Sequence, residues 1–233
     1  MKQVLYGFGV AALLVLIGWQ WQKNSSTKVE NVTVTGPKPA EKVAYVTFDD
    51  GPSEITPGIL DTLKKYDAKA TFFLIGEEIT EEREEIVKRE IEEGHSVGVH
   101  TYCHKKEEMY CNKEYFWNDF EKCKTRIEEV IGKPVSLHRF PWGSNNGYVC
   151  PLVDDLMEEL QKKKITSFDW NVSGEDSVAV GVPMASIYQN VKKDLDKYDN
   201  PIILLHDSNT MKNTAAVLPE ILEMIKEKGY RFD

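Results

Sequence analysis

From Val43 onward the chain alternates short β-branched runs with longer segments of helical period, the pattern of strands covered by helices. The runs VAYVTF (43–48), ATFFLI (70–75), SVGVH (96–100), VSLHRF (135–140), ITSFDW (165–170) and IILLHD (202–207) predict six strands, with a last short one at 230–232. Helices are expected near 55–66, 80–93, 113–131, 151–163, 183–197 and 214–228. The glutamate-rich EEITEEREEIVKREIEEG reads as the solvated face of one of them, closed by Gly94 as a C-cap. Strict βα alternation implies parallel strands, in either a closed β/α barrel or an open doubly wound sheet. Both architectures put their chemistry at the C-terminal ends of the strands.

The N-terminal segment follows neither pattern. Residues 4–19 form an uncharged, mostly apolar run, with Lys2 ahead of it and Trp19, Trp21 and Lys23 where interfacial anchors belong. At 16 residues the run is shorter than the roughly 20 that span a bilayer comfortably, so a cleaved signal peptide is the alternative. No small-x-small cleavage site follows it and no lipidation cysteine lies there, which favours an uncleaved anchor. Residues 23–42 are polar and Ser/Thr/Lys-rich, with Pro37 and Pro39 near their end, and predict a flexible linker. The expected organisation is a membrane anchor at 1–22, a linker at 23–42 and a catalytic domain at 43–233, held outside the cytoplasm or secreted if the anchor is cut.

Composition changes this picture little. With 41% hydrophobic and 29% charged residues the chain is globular, and a net charge of −9 without a basic stripe argues against a nucleic-acid partner. Nothing in the sequence points to a protein partner. The four cysteines, at 103, 111, 123 and 150, allow three pairings, and the absence of CxxC spacing argues against a four-cysteine zinc site.

The candidate chemistry lies where the strands end. The first predicted strand runs into Asp49 and Asp50, the third into His100 with His104 four residues on, and the fourth through Arg139 into Pro141, Trp142 and Gly143. The fifth ends near Asp169 and is followed by Asp176, and His206 and Asp207 close the sixth. Taken singly, Asp-Asp-Gly is a turn, His-x-x-x-His a helical coincidence, and His206 or Arg139 a structural residue. Jointly, on one rim, they form a set with a chemistry. Two imidazoles and a carboxylate suffice for a catalytic zinc, although non-haem iron uses the same set. A second carboxylate could then take a proton from water, and an arginine could hold that carboxylate in place.

These residues fall in motifs that resemble those of the polysaccharide deacetylases, carbohydrate esterase family 4. TFDDGP (47–52), HTYCH (100–104), RFPWG (139–143), DWNVSGED (169–176) and LLH (204–206) occur in the family's order, over everything from Val43 on. The resemblance implies a distorted (β/α)7-type barrel holding zinc, or another divalent ion such as cobalt. By motif position Asp49 is the expected base, Asp50, His100 and His104 the metal ligands, and Arg139 the residue that orients Asp49. Trp142 would supply an oxyanion N–H, Leu204 would line the acetyl pocket, and His206 would be the acid, tethered by Asp176 in preference to Asp169. The second motif departs from the family at Lys105, where proline is usual. The fourth has Ser177 in place of tryptophan, which leaves the acetyl pocket less walled.

The implied function is metal-dependent removal of N-acetyl groups from a cell-surface glycan polymer. The expected anchor favours peptidoglycan, with the domain facing the cell wall. An O-acetyl esterase of the acetylxylan type and a chitooligosaccharide deacetylase are the alternatives on the same fold. A haloacid-dehalogenase phosphatase would need Asp-x-Asp and would leave the histidine pair unused, and an inactive wall-binding module would have lost a motif residue. Trp142, Tyr102 and Trp170 are candidates for stacking on sugar rings.

Overall fold

The computed structural model describes residues 41–233, and Glu41–Asp233 form a single compact unit. The expected anchor, and all but the end of the expected linker, lie outside the described residues. Among the described residues no helix is long and apolar enough to cross a membrane.

Eight parallel strands carry the fold: β1 (Val43–Gly51), β2 (Ala70–Ile75), β3 (Ser96–Thr101), β4 (Leu137–His138), β5 (Thr166–Ser167), β6 (Val172–Ser173), β7 (Ile202–His206) and β8 (Arg231–Phe232). The helices are α1 (Thr56–Lys65), α2 (Glu84–Glu92), α3 (Lys106–Met109), α4 (Lys113–Ile131), α5 (Val153–Lys162), α6 (Met184–Leu195) and α7 (Lys212–Glu227). The sheet order is β5-β4-β3-β2-β1-β7-β6, with β8 pairing the start of β1. Central β1 is buried along almost its whole length, as a parallel strand covered on both faces should be. Its Phe48 stacks on Phe72 of β2 at 5.2 Å.

The two ends of this order explain its shape. Edge strands β5 and β6 are joined only by residues 168–171. Seven strands laid flat would hold their edges about 29 Å apart at the usual ~4.8 Å spacing. Five residue steps reach at most about 18 Å. The sheet must therefore curl to bring its edges within about 18 Å of each other. It stops short of closing, since β5 and β6 share no ladder, so the architecture is a curled half-barrel and not a closed seven-unit barrel.

The fifth predicted strand, 165–170, is where sequence and structure differ most. Only Thr166–Ser167 joins the sheet there, and the chain then crosses the mouth to pair as β6 with β7 on the other side. The fourth shrinks to Leu137–His138 between two prolines, Pro134 and Pro141, which donate no ladder hydrogen bonds. Helix α4 was legible end to end. Phe116, Phe120, Cys123 and Ile127 recur on one buried face, Asn112 caps the start by accepting from the Tyr115 N–H, and Gly132 ends it at φ 69°.

Candidate active site

The rim formed by the ends of β1, β3, β4 and β7 brings most of the motif residues together. Asp49 ends the regular part of β1, 3% exposed, and its Oδ1 accepts a 2.9 Å hydrogen bond from Arg139 Nη1. Arg139 is fully buried and serves several partners. The same Nη1 donates to Thr47 Oγ1 at 2.6 Å, and Nε donates to the Phe168 carbonyl at 3.1 Å, in the segment that crosses the mouth. Its guanidinium also lies 4.3 Å from the Phe73 ring centroid. One arginine thus ties the base candidate to the closure of the sheet, which a lysine's point charge could not do. Burial pushes the Asp49 carboxyl above its usual range, against the opposing pull of Arg139 and His206.

Asp50 takes φ 75°, a left-handed conformation that a non-glycine residue adopts only under local constraint. The turn brings its carboxylate to two imidazoles, one of which, His100 Nε2, also lies 3.9 Å from Asp49 Oδ2. Asp50 Oδ1 lies 3.5 Å from His100 Nε2 and 3.4 Å from His104 Nε2. His100 Nδ1 lies 2.9 Å from the Arg139 carbonyl, which can only accept, so that nitrogen carries the proton and Nε2 presents a lone pair. Burial pulls the His100 imidazole down to about 3, so the ring is neutral and its approach to Asp50 is no ion pair. A carboxylate oxygen and a ring lone pair therefore face each other with no proton between them, and Asp50 Oδ1 is buried without a hydrogen-bond partner. A cation satisfies that geometry. The ligand atoms of Asp50, His100 and His104 all lie within 4.8 Å of one another, so the donor set fits a divalent metal.

The two histidines do not share a helix face, as their i,i+4 spacing first suggests. His100 lies one residue before the end of β3, and His104 reaches the same point from the following loop at φ 54°. Asp119 on α4 shapes that loop: its carboxylate accepts from Thr101 Oγ1 and Tyr102 N, both at 2.7 Å, and from Cys103 N at 3.2 Å. Sequence reasoning passed over Asp119 because it sits in a helical pattern; its place between buried Phe116 and Phe120 was the available signal.

On the opposite side Asp176 holds His206. Its Oδ1 lies 2.8 Å from His206 Nδ1, while Oδ2 accepts from the His206 N–H and from Thr214 Oγ1, each at 2.8 Å. Burial lowers the His206 imidazole, but the hydrogen bond and charge of Asp176, aided by Asp50 and Asp49, raise it to about 9. Asp169 is not part of this pair. It accepts from the Ser144 N–H and hydroxyl and fastens the loop after Trp142. Ser177, in the place of the family's tryptophan, is exposed, with Oγ 3.3 Å from His206 Nε2.

Trp142 stands at φ 62°, 43% exposed, with its ring 4.8 Å from that of His104. Leu204 is buried two residues before His206 on β7, so both side chains leave the strand on the same face. Of the other aromatic candidates, Tyr102 packs over Gly76 with the Lys122 ammonium 3.6 Å from its ring centroid, and Trp170 packs against Gly143. Asp207 was not assigned a role, yet it braces the Asp-Asp-Gly turn. Its N–H donates to the Asp49 carbonyl at 3.0 Å, Thr56 Oγ1 donates to its Oδ2 at 2.6 Å, and its carboxylate occupies the space a Cβ on Gly51 would need.

A curled parallel α/β half-barrel with a two-histidine, one-aspartate cluster beside a buried aspartate is the frame of a hydrolase. The polysaccharide deacetylase family model matches residues 36–159. A peptidoglycan-N-acetylglucosamine deacetylase of Bacillus cereus is 40% identical over 196 residues, 82% of this chain and 68% of that protein. A bifunctional xylanase/deacetylase of Pseudobutyrivibrio xylanivorans is 32% identical over 96% of this chain and 34% of its own length. The catalytic domain of a peptidoglycan N-acetylglucosamine deacetylase from Eubacterium rectale superposes with a TM-score of 0.76 at 29% identity, covering 86% of this chain and 91% of that one. The chain belongs to the polysaccharide deacetylase family.

Proposed function

We propose that this protein is a divalent-metal-dependent deacetylase that removes N-acetyl groups from N-acetylglucosamine in peptidoglycan. The observation that carries the reading is Asp50 Oδ1, buried, unpartnered and 3.4–3.5 Å from two imidazole nitrogens. A cation held by Asp50, His100 and His104, zinc being the best match to two nitrogens and a carboxylate, would polarise the acetamide carbonyl and acidify the attacking water. Asp49 accepts that water's proton at Oδ2, since Arg139 engages Oδ1 and fixes the carboxylate's orientation. The Trp142 N–H stabilises the developing oxyanion, and the Leu204 side chain flanks the acetyl methyl. His206, protonated and aligned by Asp176, donates its proton to the departing nitrogen as the C–N bond breaks. The products are acetate and a free sugar amine.

Residues 1–22 would anchor the enzyme, and 23–42 would let the catalytic domain, 43–233, reach the wall outside the membrane. The test is acetate release from peptidoglycan and from N-acetylglucosamine oligomers. Activity should vanish with a chelator and return with zinc or cobalt, and a chain that binds no divalent ion would defeat the mechanism. The xylanase/deacetylase relative supports a second reading, an O-acetyl esterase. Acetate released from acetylated xylan but not from N-acetylglucosamine oligomers would favour it.

A further inference from the structure

A cavity of about 410 Å³ opens beside the metal-ligand candidates, lined by His104, Lys105, Lys106, Glu107, Trp142 and Tyr148. The hydrolytic chemistry uses only His104 and the Trp142 backbone, so the remaining lining needs its own account. Its wall is continuous. The Trp142 ring lies 4.8 Å from His104, and the Tyr148 ring meets Trp142 at 5.6 Å. Trp142 and Tyr148 nonetheless remain 43% and 49% exposed, and two adjacent half-exposed aromatics next to a reactive centre make a binding surface more than a core.

Lys106 ends this wall. Its Nζ lies 4.4 Å from the Tyr148 ring centroid and 3.4 Å from the Tyr148 hydroxyl. Glu107 comes no closer than 3.7 Å, beyond hydrogen-bonding distance. An ammonium has three donors, so two of them make no hydrogen bond at the edge of the cavity, although Glu107 pairs loosely with the charge. Lys105 differs, since it donates to Glu108 at 3.2 Å. Aromatic faces accept the apolar faces of pyranose rings, and a lysine recognises a point negative charge better than a neutral hydroxyl.

We propose that this cavity binds the sugar next to the one that loses its acetyl group, and that Lys106 selects a neighbour bearing a carboxylate. The inference rests on the deacetylase reading and names the substrate feature that reading leaves open. The carboxylate is carried either by a lactyl ether on the neighbouring ring or by a peptide attached to it.

The experiment compares three substrates of the full chain: an N-acetylglucosamine tetramer, a tetramer alternating with lactyl-ether sugars that bear free carboxylates, and the same alternating tetramer carrying its peptides. Lys106→Met keeps the aliphatic stem on Tyr148 and removes the charge. It should raise KM about fivefold on a carboxylate substrate, the size of one partly exposed ion pair, with kcat unchanged and the neutral tetramer within about twofold. Lys106→Arg should restore the low KM. An effect confined to the free lactyl substrate assigns the carboxylate to the ring, and one confined to the third substrate assigns it to the peptide. An equal change on the neutral tetramer, or no change on either charged one, overturns the role of Lys106. Tyr148→Ala should raise KM on all three substrates, and no change on any overturns the subsite. A wild-type chain that releases acetate from none of them would instead overturn the deacetylase reading itself.

Discussion

Two carboxylate–imidazole clusters face each other across this site, built from the same residue types and prepared for opposite tasks. Asp176 and His206 meet at 2.8 Å, and the carboxylate's oxygens are occupied by the imidazole, a backbone N–H and Thr214. Asp50 stands 3.4–3.5 Å from His100 and His104, too far to hydrogen-bond well, and its buried Oδ1 has no partner. The closed cluster stabilises a proton on imidazole, so His206 is raised to about 9. In the open cluster burial outweighs the pull of Asp50, and His100 falls to about 3. What separates the acid candidate from the ligand candidates is a direct carboxylate hydrogen bond strong enough to overcome burial at His206 and absent at His100.

Among isosteric changes the largest expected effect belongs to neither cluster but to the aspartate between them. Asp49→Asn keeps the shape and removes the base, so acetate release should fall by roughly 10²–10⁴-fold while metal content, measured by elemental analysis, stays at the wild-type level. Loss of metal in this variant would mean that Asp49 belongs to the ligand set. Next, Asp50→Ala and His104→Ala should abolish metal binding together with activity, whereas Asp176→Asn should leave the metal in place. If all three lost metal alike, the contrast between open and closed clusters would collapse.

Asp176→Asn sharpens the contrast from the other side. The His206 pKa should drop from about 9 toward the ordinary 6.5, and the alkaline limb of kcat/KM should move down with it. The sign for stability is the same. A folded-state value above the unfolded one means that the pair's contribution is fully present below about pH 6.5 and is lost as pH rises through about 9. Thermal unfolding followed across that window should show a decline in wild type that Asp176→Asn lacks. The smallest effect is expected from Thr214→Val, which removes one of the hydrogen bonds to Asp176. It should cost about 0.5–1.5 kcal/mol of stability and shift the alkaline limb only slightly.

How much of this was readable before the fold was known depends on the distance over which each feature is encoded. Helix α4, strands β1 to β3 and the Gly94 cap are local, written in periodicity and capping, and they stand where the pattern predicts them. The stubs β4, β5 and β6 are not, because their length depends on where a curled sheet runs out of partners. The motif residues were legible as a set because parallel βα folds gather strand ends on one rim. Their supports were not. Asp119, Thr214 and Asp207 act across separations of 16 to 151 residues and look like ordinary helix, cap or turn residues in the sequence.

By itself, then, the sequence determined the alternation of elements, the family motifs and the candidate side chains for the chemistry, since each depends on neighbours along the chain. Only the tertiary structure shows Asp176, the residue the motif register favours, at 2.8 Å from His206 with Asp169 engaged by Ser144, and the Asp50 carboxylate 3.4–3.5 Å from two imidazoles. It also decided that Arg139 links Asp49, the base candidate, to the closing of the sheet. The reason is the same in each case: a lone pair becomes free or engaged only when residues far apart in the chain are packed within 3 or 4 Å of each other, and periodicity carries no record of that distance.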